Sequence, residues 1–168
     1  MLMTSTIRQE IKQQRPFASA RQEATVALMR TADGARRLMA AVLEPHSITL
    51  QQYNVLRILR GAGRDGLPTL EIAERMIEQT PGITRLIDRL EQKKLVTRRR
   101  QTDDRRCVYC SITRAGLALL SNLDQPVIET GNAALSSLTT KEVAQLVELL
   151  DRTRQSMNQQ FIERRRTP

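Results

Sequence analysis

The run TRRRQTDDRRCVYC, from Thr97 to Cys110, gathers arginines and a cysteine pair around what reads as a turn. Arginine forks grip phosphates, and a C-x-x-C pair binds metal or cycles as a disulfide, so one stretch offers two chemistries. Strand geometry argues against the second. If Cys107 to Ile112 is extended, residues three apart point to opposite faces, and Cys107 and Cys110 share a metal only if the strand breaks. No second cysteine pair or histidine cluster completes a zinc site. Both cysteines therefore read as structural, with oxidation of Cys107 beside Arg105 and Arg106 as the other reading, and neither a metal nor a cofactor is expected.

Catalytic residue sets are equally thin. His46 is the only histidine; it follows Pro45 at a helix boundary, with no carboxylate pair or Ser-Gly elbow beside it. A capping or packing role is expected of it, with a ligand contact as the other reading. There is no phosphate-binding glycine loop. The chain is expected not to be an enzyme.

Composition narrows the partners. The 27 Lys+Arg against 18 Asp+Glu give a formal charge of +9, an excess that favours contact with a polyanion. Phe17, Tyr53, Tyr109 and Phe161 are the whole aromatic set, too few for the stacking platforms that single-stranded nucleic acid requires. Aliphatic side chains must build the core. No apolar run is long enough to span a membrane and Met1 to Pro16 contains no secretory segment, so a cytoplasmic protein is expected. At 168 residues the chain accommodates one domain with a core, or one domain with long helical extensions.

Periodicity and caps then supply the elements that must hold the arginines in place. Thr4 to Arg15 is polar and helix-tolerant, closed by Pro16. A capping box of Ser19 with Gln22 predicts a long amphipathic helix carrying Ala24, Ala27, Leu28, Ala35, Leu38, Met39 and Val42, interrupted in sequence by Gly34 and ended by Pro45. Thr49 caps a helix with Leu50, Tyr53, Leu56 and Leu59 in one stripe, stopped by Gly61 and Gly63. After the turn Arg64-Asp65-Gly66, Leu67 and Pro68 are extended. Thr69 caps a short helix with Leu70, Ile72, Ala73 and Met76 inward. Thr80 as N-cap and Pro81 as first residue start the next helix, whose Ile83, Leu86, Ile87 and Leu90 face the core while Gly82, Thr84, Arg85, Asp88 and Arg89 face out. These two helices fit a helix-turn-helix.

Leu95 to Arg100 and Cys107 to Ile112 read as the strands of a hairpin with the charged tip Gln101 to Arg106. Thr113 caps a helix that Pro126 and Gly131 bend or divide. A capping box of Thr139 with Glu142 starts the last helix, with Val143, Leu146, Leu150, Thr153 and Met157 down one side. The expected organisation is an arm (1–18), a first long helix (19–47), a central domain of three helices and a hairpin (48–112), and C-terminal helices with a basic tail (113–168). Pairing with a second copy would bury the apolar stripes of the flanking helices, so a homodimer is expected.

The segments LEIAERM (Leu70 to Met76), TPGITRLIDRLEQKKLVTRR (Thr80 to Arg99) and DDRRCVYCSITRAG (Asp103 to Gly116) resemble the MarR family of bacterial transcriptional regulators, across roughly Leu50 to Leu120. The resemblance implies a mainly α, winged helix-turn-helix fold, flanked by N- and C-terminal dimerisation helices. It also implies double-stranded DNA as partner, a homodimer, repression, and a small, often phenolic or otherwise aromatic, effector in a crevice between the dimerisation helices and the DNA-binding lobe. In the recognition helix Thr80, Thr84, Arg85 and Arg89 are the candidates for DNA contact, Arg85 by a bidentate bond to guanine. A surface pair of Arg85 with Asp88 is the plainer reading. In the wing the resemblance carries Asp104 and Arg106 over to a pair whose arginine enters the minor groove, and leaves Arg105 to phosphates. Arg98, Arg99 and Arg100 are expected as phosphate contacts, although strand alternation must send one of them elsewhere. A nonspecific, nucleoid-type duplex binder stays open as the rival, since charge alone supplies such binding.

Overall fold

Polar caps and glycine or proline breakers divide the chain into helices before any packing is considered. The computed structural model describes residues 7–78, 82–100 and 108–166, with only the backbone of Arg100, Arg165 and Arg166. The chain forms two compact units, Met1–Ile128 and Glu129–Pro168.

In the first unit α1 (Ile7–Glu10) is a single turn, closed by Arg8, which donates to the Gln13 and Gln14 carbonyls at 3.2 and 2.8 Å. α2 (Ala20–Leu43) opens on Ser19, whose Oγ accepts the Gln22 N–H at 3.2 Å. The expected capping box is only half made. Gln22 Oε1 reaches one residue further back and accepts the Ala18 N–H at 2.7 Å. Gly34 does not interrupt α2; it weakens the helix by about 1 kcal/mol relative to alanine, and an Asp33–Arg37 pair spans it at 3.2 Å. Pro45 ends the helix in a 3-10 turn, Glu44–His46, and Ser47 follows in the left-handed region at φ 56°.

α3 (Leu50–Ala62) starts with a complete capping box: Thr49 Oγ1 accepts the Gln52 N–H at 3.2 Å and Gln52 Oε1 accepts the Thr49 N–H at 3.1 Å. This helix is the centre of the core. Its Val55, Leu56 and Leu59 are fully buried, and Ile72, Ile87, Leu90, Val96, Leu120 and Leu123 close around them. Each such side chain contributes about 1.5–3 kcal/mol by leaving water.

β1 (Leu67–Pro68) follows Gly66, at φ 70°. A Cβ there would fall on the Cys110 carbonyl oxygen and on Ser111 Oγ, so glycine alone lets this turn lie against the neighbouring strand. α4 (Thr69–Arg75) departs from expectation in two ways. Thr69 does not cap it: Pro68 holds the N-cap position, and Thr69 Oγ1 instead donates to the Val108 carbonyl at 3.4 Å. Leu70 is not inward but 72% exposed, while Ile72 and Met76 are buried. Two residues turn a helix by about 200°, so Leu70 and Ile72 cannot both face the core.

α5 (Ile83–Gln92) begins later than expected, with Gly82 at φ 95° as its N-cap. Thr80 and Pro81, expected at that start, lie outside the described residues. β2 (Val96–Arg100) starts after Leu95, whose N–H turns back to the Leu90 carbonyl at 3.0 Å. With β3 (Val108–Ile112) it completes an antiparallel sheet of order β1-β3-β2. Val96 pairs with Ile112, Arg98 with Cys110 and Arg99 with Tyr109. α6 (Arg114–Ala134) is capped as expected, Thr113 Oγ1 accepting the Gly116 N–H at 3.0 Å, and it runs through Pro126 and Gly131 undivided.

In the second unit α7 (Thr140–Arg166) opens on the expected box, Thr139 N–H donating to Glu142 Oε2 at 2.8 Å and Glu142 N–H to Thr139 Oγ1 at 3.4 Å. Val143, Leu146, Leu150 and Thr153 are half-buried along one side, and Met157 is exposed. Among the described residues no helix is long and apolar enough to cross a membrane.

Candidate nucleic-acid interface

α5 and the β2–β3 ribbon, the two elements the arginines occupy, are neighbours through a tight turn in which Lys94 adopts φ 59°. α5 buries Ile87 and Leu90 and half-buries Ile83 and Leu86. That leaves Thr84, Arg85 and Arg89 on the exposed face, Arg85 and Arg89 one turn apart. Among the described residues neither arginine's side chain makes an ion pair or a hydrogen bond. The plainer pairing of Arg85 with Asp88 does not form, because Asp88 accepts from Arg98 instead.

Alternation divides the strand arginines. Arg98 sits opposite the fully buried Cys110 on the face that packs inward, with its side chain 24% exposed. Its Nη2 donates to Asp88 Oδ1 and to the Thr84 carbonyl, the latter at 3.3 Å, and its Nε lies 3.6 Å from Glu91 Oε2. Expected as a phosphate contact, Arg98 is instead paired with α5 by this geometry. Arg99 takes the other face and is exposed. The Arg100 side chain and the wing residues Asp104, Arg105 and Arg106, with Cys107, lie outside the described residues.

Cys110 lies 3.7 Å from Thr69 Oγ1, and burial pushes its thiol up from the ordinary value. It stays protonated at neutral pH, as a packing residue does. Among the described residues no group of His, Cys, Asp and Glu is placed to hold a metal.

Periodicity alone missed the residues that anchor Ile77 and Glu78 after α4. Asn54, buried in the α3 stripe, accepts the Ile77 N–H through Oδ1 at 2.8 Å. Gln51 donates to Glu78 at 3.1 Å, and Arg36 of α2 lies 3.7 Å from Glu78. A short polar side chain inside an apolar stripe was the available signal, since a buried amide must find a partner. Beside these residues a groove of about 700 Å³ runs between the end of α2 and the start of α3, lined by Arg36, Arg37, Glu44, Ile48 and Leu50 among others. His46 is exposed at the 3-10 turn and is not part of that lining.

This arrangement has relatives. A sequence model of the MarR family matches residues 48–108. The crystal structure of a MarR transcription factor from Planctomyces limnophilus is 39% identical, covering 81% of this chain and 98% of its own, with a TM-score of 0.64. The homoprotocatechuate degradative operon repressor of Escherichia coli is 28% identical over 76% of this chain and 84% of its own length. A mutant Escherichia coli MarR crystallised with operator DNA is 28% identical, covering 76% of this chain and 90% of its own, with a TM-score of 0.68. With α5, the ribbon and these likenesses in place, the chain belongs to the MarR family of transcriptional regulators.

Proposed function

We propose that the protein is a repressor that binds a pseudo-palindromic DNA operator as a homodimer and releases it when a small phenolic or other aromatic molecule binds. The observation that carries this reading is the exposed Thr84, Arg85 and Arg89 face of α5 beside a ribbon that presents Arg99. A helix in the major groove offers such a face to base edges, and a bidentate Arg–guanine pair discriminates by about 1–3 kcal/mol. Thr80 serves as a further DNA contact. Arg105 and Arg106, positioned by Asp104, act at the minor groove and its phosphates, and Arg99 and Arg100 anchor the backbone.

Residues 19–47 and 113–168 flank the DNA-binding domain (48–112) and supply the dimer contacts, with residues 1–18 as an arm. Exposed apolar side chains support this in each unit separately: Met29 and Leu38 on α2, Val147, Leu149 and Phe161 on α7. The effector occupies the α2–α3 groove. Phenolic chemistry is favoured because the Escherichia coli relative represses a homoprotocatechuate degradative operon, and homoprotocatechuate is itself a phenol. The protein works in the cytoplasm and catalyses no reaction.

Two half-sites separated by one helical turn, about 34–36 Å, are expected. Selecting duplexes from a random-sequence pool, then measuring anisotropy of the winner and a scrambled duplex over a salt series, tests the reading. A selected pseudo-palindrome bound about a thousandfold more tightly than the scramble supports it. Equal affinities falling steeply with salt would replace it with the nonspecific binder.

A further inference from the structure

We infer that Arg98 is a positioning residue, a brace that locks the wing ribbon to the recognition helix, and that it makes no phosphate contact of its own. The inference rests on the DNA-binding reading above and assigns a division of labour within it. The guanidinium has three partners: its Nη2 donates to the Asp88 carboxylate and the Thr84 carbonyl, and the Glu91 carboxylate lies 3.6 Å from its Nε as an ion pair. Asp88 and Glu91 are i and i+3 on α5, so they share a side of the helix, and the arginine that joins them comes from β2. The two carboxylates more than balance the guanidinium's charge, so the cluster as a whole has no net positive charge to offer a phosphate. The same pairing explains how a recognition helix tolerates two acidic residues, which unpaired would repel the DNA backbone.

Magnitudes show why the brace matters. α5 and β2 are joined by a short turn, and β2 spans five residues from Val96 to Arg100. A pivot of about 10° at that turn moves the far end of a strand roughly 16 Å long by about 3 Å, more than any hydrogen bond tolerates. Arg98 sits midway along this lever. It ties the ribbon to α5 at the carbonyl of Thr84, the first-turn residue placed to meet bases. Arg99, one residue on, turns to the opposite face and is the strand's free cation among the described side chains.

The test uses the full-length protein, the duplex selected by the wild type and its scramble, over a salt series, with each variant's melting temperature recorded. For a brace, Arg98→Gln lowers the selected-to-scrambled affinity ratio by roughly tenfold, the loss of about one base contact, and leaves the salt slope unchanged. Arg98→Lys fails similarly, because an ammonium lacks the fork that spans both carboxylates. Arg99→Gln weakens both duplexes alike and reduces the slope by about 1. The double variant Asp88→Asn, Glu91→Gln keeps Arg98 and removes its partners, so it remains informative if Arg98→Gln does not fold. A brace requires the affinity ratio to fall; a phosphate anchor, freed of its carboxylates, would bind both duplexes more tightly.

A slope reduced by about 1 in Arg98→Gln and restored in Arg98→Lys would overturn the brace and leave the DNA-binding reading intact. A wild type that selects no sequence and binds both duplexes equally would overturn that reading and the brace with it.

Discussion

α3 and α7 carry similar aliphatic stripes and differ in what covers them. Val55, Leu56 and Leu59 of α3 are fully buried within their own unit. Among the described residues α7 buries no side chain completely, and Phe161 is 62% exposed, with Val147, Leu149 and Ile162 also exposed. Periodicity sets which face of a helix seeks cover; it does not decide whether the same chain provides it.

The sharpest contrast comes from truncating each stripe. Leu56→Ala leaves a cavity in a closed core and is expected to lower the unfolding free energy by about 2–5 kcal/mol in urea melts. A loss below about 1 kcal/mol would mean that the α3 core is looser than its burial indicates. Next in size is Gly66→Ala, expected to cost about 1–3 kcal/mol, since the new Cβ meets the Cys110 carbonyl and the backbone is already left-handed. Unchanged melting would show that the β1 turn relaxes freely.

A smaller, pH-dependent effect belongs to the edge of the α3 core. Arg60 of α3 donates to both Asp124 oxygens, at 2.8 and 3.0 Å, and this hydrogen bonding holds the Asp124 carboxyl below its ordinary value of 3.8. The stabilisation is complete above the unfolded carboxylate value, near pH 4, and is lost as pH falls through the lowered folded value. Both side chains are more than a third exposed, so screening limits the pair to about 1 kcal/mol or less. Asp124→Asn should be destabilising at pH 7 and neutral near pH 2; an equal difference at both would assign the effect to packing.

The smallest effect on intrinsic stability is expected in α7. Leu149→Ser should shift the monomer's unfolding by no more than about 0.5 kcal/mol, yet weaken self-association in sedimentation experiments if a second copy covers this face. Unaltered sedimentation alongside a large loss of monomer stability would remove α7 from the dimer contacts and undo the contrast with α3.

Much of this molecule was readable from local chemistry. Thr49 with Gln52, Thr113 before Gly116, and Thr139 with Glu142 announce helix starts because a cap needs partners only three residues away. The stripe Ile83, Leu86, Ile87 and Leu90 places the exposed face of α5 for the same reason. Where partners are distant, local signals fell short. Thr69 was available as a cap and went to Val108 across the sheet. Gln22 bonds Ala18 in place of Ser19, and Asn54 in α3 secures Ile77 just after α4.

The sequence by itself determined the order of helices, the hairpin, the basic surplus and the faces that alternation allows, because these follow from spacing along the chain. Alternation required that one of Arg98, Arg99 and Arg100 turn away from the others, but not which. Only the tertiary structure decided that Arg98 meets Asp88 and Glu91. The strand register and the tight turn after α5 bring ten residues of separation down to a salt bridge, and a charged side chain takes whichever opposite charge the fold places within reach.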